Sequence, residues 1–272
     1  MVSPSPLPAT LRNALRDLLA CLRFFSRLPL PATSFDQAPA AAPDLSRLAP
    51  MVPVAGAAIG AIGALAFGLA HALGLPPLVA AALTISVLAL ATGALHEDGL
   101  ADVADGFGGG RTRERKLEIM RDSRIGAFGA TALALSLMLR VAALAALIEQ
   151  GRGAAAALIL AGAASRAFAL LPLALLPPAR TDGLGAGAGR LDANGALVAG
   201  VVALFFAGVL GFGVLGLARA ILALILALAA ALAVTGIARR QIGGQTGDVA
   251  GAAQQLAEIA CLIGLLIGGH AA

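Results

Sequence analysis

The chain has 272 residues, of which 59% are apolar and 12% are charged, and its mean hydropathy is +0.91. Soluble domains carry about 25% charged residues, so this composition excludes a soluble globular protein, a disordered chain and a coiled coil. The two cysteines exclude a disulfide scaffold. The net charge of +4 is not gathered into a basic stripe, and without Trp or Tyr to stack on bases we expect no nucleic-acid partner. The sequence therefore predicts an all-α, polytopic membrane protein that lies in the lipid bilayer.

The first 49 residues are predicted to form an interfacial helix and a linker. Between Leu11 and Arg27 the leucines lie on one helical face and four arginines lie on another. This pattern predicts a helix on the membrane surface, with its arginines among anionic head groups. An amphipathic helix packed on the rest of the protein is the alternative.

Residues 50–272 are predicted to form one transmembrane bundle, which together with residues 1–49 makes a single domain. Seven apolar runs have about the 20 residues that a helix needs to cross the hydrocarbon core. The predicted spans are residues 50–73, 77–95, 128–149, 153–176, 194–216, 218–238 and 255–270. Glycines in the first span should allow neighbouring helices to approach closely; they are Gly56, Gly60, Gly63 and Gly68.

The distribution of charge predicts the orientation of the chain. Most of the 19 Lys and Arg residues fall in segments that lie on one side of the membrane if the N-terminus is cytoplasmic. Nearly all the acidic residues fall in the same segments. We therefore predict a multi-pass protein of the cell inner membrane whose active site faces the cytoplasm.

The segment after the second predicted span is the richest in acidic residues and reads HEDGLADVADG, from His96 to Gly106. Asp98, Asp102 and Asp105 are spaced so that a helix places them on one face, where they repel one another. A divalent cation removes that repulsion, and Mg²⁺ binds a few carboxylates together with water and substrate phosphates. The spacing thus predicts a Mg²⁺ site, with a solvated acidic helix face as the alternative. His96 is a candidate general base for an alcohol, or a second partner for the aspartates.

A second polar segment precedes the third predicted span. Arg121 and Arg124 flank Asp122 and Ser123, and guanidinium groups suit the bidentate binding of phosphate. Ion pairing within the loop is the alternative.

Two arginines fall inside predicted spans. An unpaired charge there costs about 2.5 kcal/mol or more, so Arg166 needs an anionic partner, either an acid of the aspartate triad or a substrate phosphate. Arg140 meets the same criterion without an accompanying motif, which leaves open a purely structural ion pair.

A third polar segment, from Gly243 to Asp248, follows the sixth predicted span. Thr246 and Asp248, flanked by glycines, could supply a hydroxyl and a carboxylate near a metal or substrate, and a plain turn between helices is the alternative. Acidic metal ligands and arginines around a phosphate fit phosphoryl or nucleotidyl transfer, because they neutralise the transferring group while an alcohol attacks.

These motifs, taken together, resemble the cobalamin synthase family through nearly the full chain. The matching segments are FFSRLP (24–29), HEDGLADVADG (96–106), LEIMRDSRIGAFG (117–129), SR (165–166) and GGQTGDVAGA (243–252). The resemblance implies a polytopic, Mg²⁺-dependent enzyme that joins adenosylcobinamide-GDP to α-ribazole, giving adenosylcobalamin and GMP. With α-ribazole 5′-phosphate the product is adenosylcobalamin 5′-phosphate.

Carried over position by position, the resemblance gives a set of expected site residues. The expected catalytic residues are His96, Asp98 and Asp102. The expected metal ligands are Asp98, Asp102, Asp105 and Asp122. The expected substrate-binding residues are Arg121, Ser123, Arg124, Arg166, Thr246 and Asp248.

Two positions depart from the family pattern. Glu97 stands where the family usually has an apolar residue, and Gln255 stands where a glutamate is common, so Glu258 is the matching acid of that pair. The resemblance leaves open whether the chain forms a homo-oligomer or associates with other nucleotide-loop enzymes.

Two other functions fit parts of the sequence. A CDP-alcohol phosphotransferase-like enzyme would also use clustered aspartates and Mg²⁺, but its motif has AR after the first DG, and here Ala101 and Asp102 follow Asp98 and Gly99. A transporter would place polar residues near the midplane of several spans, whereas these acids gather on one side.

Overall fold

The structure, a computed structural model, describes residues 9–30, 45–180 and 191–268, and every regular element in these ranges is a helix. The helices are α1 (Ala9–Phe25), α2 (Leu45–Leu48), α3 (Val52–Ala72), α4 (Pro77–Thr92), α5 (Leu95–Gly109), α6 (Arg113–Ile119), α7 (Ala127–Glu149), α8 (Ala154–Phe168), α9 (Leu170–Leu175), α10 (Ala193–Leu210), α11 (Leu217–Ile242) and α12 (Gly247–Leu266). A 3₁₀ turn (Ala49–Met51) precedes α3, and a π turn (Gly211–Leu215) follows α10. The predicted all-α class is confirmed.

Six helical segments of the described chain are long and apolar enough to cross a membrane. They are Leu45–Ala72, Ala127–Glu149, Ala154–Leu175, Ala193–Leu215, Leu217–Ile242 and Gly247–Leu266. A seventh is obtained only if α4 and α5 count as one span, and these two helices are bent by 90°. The bend lies at Gly93 and Ala94, which both have a left-handed backbone (φ 64° and 54°) and end α4. The predicted second span therefore stops at Thr92, and α5 leaves at a right angle.

The last predicted span is wrong in its position, because α12 begins at Gly247 and not at 255. Thr246 starts the helix as its N-cap, and its side-chain oxygen accepts a hydrogen bond from Val249 N at 3.2 Å. The glycines and glutamines of the first two turns lower the local hydropathy, which hid this helix start from a search for apolar runs. Asp248 consequently lies in the first turn of a helix.

Small residues bring α3 and α8 into backbone contact. A β-carbon at Gly56 would lie 2.2 Å from the carbonyl oxygen of Gly162, and one at Gly60 would lie 2.3 Å from that of Leu158. The predicted packing role is confirmed for these two glycines and for Gly63, which lies against Leu88. It is wrong for Gly68, because an added β-carbon there would meet no atom of the described residues within 4 Å.

The predicted N-terminal helix is confirmed as α1, and its two halves differ. Cys21 and Phe25 are buried against the bundle, whereas Leu11 and Leu15 are about half exposed. Arg27 N donates to the carbonyl oxygen of Ala91 at 2.7 Å, which attaches the segment after α1 to the end of α4. The packed-helix alternative thus holds for the second half of α1. The predicted linker from 31 to 44 lies outside the described residues.

Candidate active site

The site lies where α5 crosses the start of α12. A β-carbon at Gly99 would lie 2.9 Å from the carbonyl oxygen of Asp248 and 3.3 Å from the α-carbon of Gly251. Only a glycine lets the two helices approach this closely. The crossing brings the acidic residues of α5 beside Asp248, which lies in the first turn of α12.

Three carboxylates and one guanidinium form what we call the aspartate cluster: Asp98, Asp102, Asp248 and Arg180. Asp248 Oδ2 accepts hydrogen bonds from Arg180 Nη2 at 3.1 Å and from Thr246 Oγ1 at 3.2 Å. The pKa of Asp102 is raised to about 7, first by burial and then by the neighbouring charges of Asp98, Asp248 and Asp105, against the opposing effect of Arg180. The cluster thus places three carboxyl groups beside one guanidinium, and near neutral pH Asp102 is partly protonated.

The donor set of the aspartate cluster suits a hard divalent cation. Within the described residues, no three His, Cys, Asp or Glu side chains converge so as to hold a metal ion by themselves. Mg²⁺ does not need such a group, because proteins usually bind it through one or two carboxylates together with water and substrate phosphates. Asp98, Asp102 and Asp248 offer only carboxylate oxygens and crowd like charges together, and both features fit Mg²⁺.

Asp105, expected to complete the metal site, is instead bonded to α7. Its Oδ2 accepts from Gly126 N at 2.7 Å and its Oδ1 accepts from Gly129 N at 2.8 Å, so it satisfies backbone donors at the start of that helix. A β-carbon at Gly126 or Gly129 would come within 2.5 Å or 2.3 Å of these oxygens, which accounts for both glycines. The expected role of Asp105 as a metal ligand stays a prediction, but helical spacing on α5 did not show that both of its oxygens accept bonds from the start of a neighbouring helix.

The expected phosphate-binding segment lies on the surface between α6 and α7. Asp122 accepts from Arg124 through Nη2 at 2.6 Å and Nε at 3.0 Å, and this bonding holds the pKa of Asp122 at about 2. The ion-pair alternative is thus confirmed for these two residues. Arg121 and Ser123 are exposed. The described contacts do not bring Asp122 to the aspartate cluster, so its expected role as a metal ligand is not supported by its position.

A second group of polar side chains, which we call the buried network, lies inside the bundle. Arg140 of α7 donates from Nη1 to Glu97 Oε1 at 2.9 Å and to Glu258 Oε1 at 3.5 Å. All three residues are at most 8% exposed. The open question about Arg140 is answered, because it pairs with acids of both α5 and α12.

Amides and hydroxyls extend the buried network. Gln254 donates from Nε2 to Glu258 Oε2 at 2.7 Å and to Ser165 Oγ at 2.9 Å. Gln255 donates to Gln254 Oε1 at 2.9 Å and accepts from Ser136 Oγ at 3.0 Å. The network therefore joins α7, α8 and α12 as well as α5. Gln255, which stands where a glutamate is common in the family, has structural partners in this network.

Arg166 lines a small cavity beside this network. It is 3% exposed, and its Nη1 donates to the carbonyl oxygen of Gly162 at 3.4 Å. The acids that share the cavity with it are Glu97 and Glu258. Its anionic neighbours are therefore glutamates and not the acids of the aspartate triad, and a substrate phosphate as its partner stays a prediction.

His96 lines the same cavity and is fixed by packing. Its ring stacks on Phe25 with 5.7 Å between the centroids, and burial lowers its pKa, so the imidazole is neutral. A neutral ring can accept a proton, and its role as a general base stays a prediction.

Sequence reasoning missed two features of this region. Glu97 and Glu258 lie in α5 and α12, and the two buried arginines lie in α7 and α8. Matching these charges of opposite sign would have identified the buried pairs. The second feature is the position of Arg180 beside Asp248. No local pattern marks it, because its neighbours come from α5 and α12.

The comparisons with known proteins agree with the motifs. A family model described as cobalamin-5-phosphate synthase matches residues 17–266. Three relatives, each named adenosylcobinamide-GDP ribazoletransferase, are similar over 93% of this chain. They come from Azorhizobium caulinodans (54% identical, 96% of the relative covered), Xanthobacter autotrophicus (51%, 96%) and Mesorhizobium japonicum (48%, 93%). No solved structure matches the chain significantly.

Proposed function

Since the chain belongs to the cobalamin-5-phosphate synthase family, we propose that it is an adenosylcobinamide-GDP ribazoletransferase of the last steps of cobalamin synthesis. It would join adenosylcobinamide-GDP to α-ribazole, or to its 5′-phosphate, and release GMP. The observation that carries the proposal is the aspartate cluster, in which crowded carboxylates and an arginine meet where two helices cross.

In the proposed reaction the ribazole hydroxyl oxygen forms a bond to the phosphorus attached to cobinamide. The bond from that phosphorus to the oxygen of GMP breaks, and the hydroxyl proton is released. Mg²⁺, when bound, would neutralise charge that develops on the phosphate oxygens and on the departing GMP.

The residues of the chain would contribute binding and orientation. One or two of the carboxylates of Asp98, Asp102 and Asp248 would bind Mg²⁺ together with water and substrate phosphates. Thr246 would orient Asp248 through the bond that it already donates. Because Arg121, Ser123 and Arg124 lie on an accessible surface, they can meet a large substrate outside the bundle. His96 is the proposed acceptor of the hydroxyl proton because its ring is neutral, and the burial that lowers its pKa also makes it a weak base.

We further propose that the aspartate cluster faces the cytoplasm of the cell inner membrane. The segments near it carry most of the Lys and Arg residues of the chain, and such segments remain on the cytoplasmic side. The crossing of α5 and α12 would then lie at the membrane surface, where a soluble nucleotide can reach it.

The test is product analysis with the full chain in lipid vesicles. With adenosylcobinamide-GDP, α-ribazole and Mg²⁺ we expect adenosylcobalamin and GMP in equal amounts, and we expect neither product when either substrate is omitted or the metal is chelated. Glu118→Gln removes one exposed carboxylate on α6 and should leave the yield unchanged. Folded protein that makes no GMP would refute the proposal, and release of CMP from a CDP-alcohol would indicate the other enzyme class.

A further inference from the structure

The segment that leads to Arg180 is fixed to the turn between α11 and α12. Ala179 N donates to Gln245 O, and Gln245 N donates to Pro177 O, both at 2.8 Å. A β-carbon at Gly244 would lie 2.5 Å from Pro177 O, so this close approach requires a glycine. The main chain beside Arg180 is thus held rigidly against the start of α12.

Arg113 adds a second attachment to the same segment. It donates from Nη2 to the carbonyl oxygen of Ala179 at 2.5 Å and from Nε to that of Ile242 at 2.8 Å. Backbone contacts on two sides therefore determine where the Arg180 side chain begins.

The Arg180 guanidinium is only partly used by the protein. Its Nη2 donates to Asp248 Oδ2 at 3.1 Å, and its side chain is 17% exposed. Its Nη1 is buried and has no hydrogen-bond partner within the described residues. A buried charged donor without an acceptor is costly, so this nitrogen is suited to an anion that arrives later.

The charged groups of the aspartate cluster favour a phosphate that binds together with a metal ion. Asp248 is bonded to Arg180, and the cluster holds three carboxyl groups for this one guanidinium, an arrangement that a divalent cation would compensate. A cation that binds Asp248 competes with Arg180 for the same carboxylate. The guanidinium would then be free to bind an oxygen of a phosphate that shares the cation.

We propose that Arg180 is a phosphate-binding residue for the diphosphate of the nucleotide-linked substrate, and that it exchanges Asp248 for that phosphate when the metal binds. This inference rests on the proposed function. Arg124 is less suited to the same task, because it is 86% exposed and already bonded through two nitrogens to Asp122.

The test measures binding, not turnover, with the full chain in lipid nanodiscs. Titration calorimetry with Mg²⁺ alone should show tighter binding to Arg180→Gln than to the wild type, because the variant has no cation competing for Asp248. Titration with GDP at saturating Mg²⁺ should show binding weakened by about tenfold or more, since a charge-assisted hydrogen bond is lost. Arg180→Lys keeps the charge without the planar fork and should weaken GDP binding while leaving Mg²⁺ binding near that of the wild type.

Arg115→Gln is the matched control, because it removes one exposed arginine of α6 that pairs with Glu118. We expect it to change neither titration. Opposite changes in the two affinities of Arg180→Gln support the proposal, whereas a fall in both, or no change in either, overturns it. If the wild type forms no adenosylcobalamin while the opposite changes are still observed, the proposed function fails and the assignment of Arg180 stands.

Discussion

The aspartate cluster and the buried network both contain acids and arginines, but they differ in how many of the acids are paired with an arginine. In the buried network, each glutamate is bonded to Arg140 and the amides are bonded to one another. In the aspartate cluster, three carboxylates face one arginine, and an arginine nitrogen has no partner within the described residues. Unpartnered guanidinium nitrogens occur in both regions, since Arg140 and Arg166 also have them within the described residues. The two regions differ in the balance of charge: the two glutamates of the network lie beside two arginines and stabilise the fold, whereas the cluster has more carboxyl groups than arginines and is suited to bind a cation.

The largest expected effect comes from breaking the buried network. Arg140→Met should lower the free energy of unfolding by about 3–5 kcal/mol, because it leaves Glu97 as an uncompensated buried charge. The double variant Arg140→Met/Glu97→Leu should recover most of that loss, since Glu258 keeps Arg166 as a neighbouring opposite charge. Chemical denaturation in detergent measures both. A double variant that is as unstable as Arg140→Met would contradict the assignment of the pair.

The next largest effect is expected from a substitution in the aspartate cluster, which should lower activity but, unlike Arg140→Met, raise stability. Asp102→Asn should lower the rate of GMP release by about 100-fold or more, because the site loses one of the groups proposed to bind the metal. The same variant should melt at a higher temperature than the wild type when no metal is present, because it removes repulsion between carboxylates. If it melts at a lower temperature, the cluster is a stabilising element and not a strained binding site.

The raised pKa of Asp102 makes this effect dependent on pH. Its pKa is raised from 3.8 to about 7, so the folded protein binds a proton that the unfolded chain has lost. The metal-free wild type should therefore gain stability as the pH falls from about 7 towards 4, and Asp102→Asn should lack this part of the dependence.

A smaller effect is expected where the two regions are joined. Gly99→Ala places a β-carbon 2.9 Å from the carbonyl oxygen of Asp248, so α5 and α12 must separate slightly, at a cost of about 1–3 kcal/mol. Because both regions span these helices, melting temperature and GMP release should fall together. Gly68→Ala is the matched control and should not destabilise the protein, since its β-carbon meets nothing within 4 Å.

The smallest effect is expected at Asp105, whose role differs from that of Asp102 on the same helix. Asp105→Asn leaves one acceptor oxygen for Gly126 N and Gly129 N, and should cost about 1 kcal/mol. Its Mg²⁺ affinity, measured by calorimetry, should change much less than that of Asp102→Asn. Equal losses of affinity in the two variants would restore Asp105 to the metal site.

The spans could be predicted because a helix in lipid must be long and apolar, and this requirement is visible along the chain. The start of α12 could not, because Gly247 and Asp248 begin it through a Thr246 cap and not through apolar residues. The bend after Thr92 depends on a left-handed Ala94, which no residue preference indicates.

The site could be predicted where it depends on spacing along one helix, and not where it depends on contacts between helices. Helical spacing correctly placed Asp98 and Asp102 together, but it does not specify what packs beside a helix, so the bond from Asp105 to α7 was missed. Arg166 was expected to need an anion, and its neighbours proved to be glutamates from two other helices. Pairings between distant helices form only in the folded bundle.

The most direct test of the account is the Mg²⁺ dependence of GMP release by the wild type and by Asp102→Asn at equal amounts of folded protein. We expect release by the wild type to rise to saturation with Mg²⁺, and Asp102→Asn to need far more metal or to release no GMP. Two superimposable curves, or release that persists after chelation, would contradict the claim that the aspartate cluster is a metal-assisted transfer site.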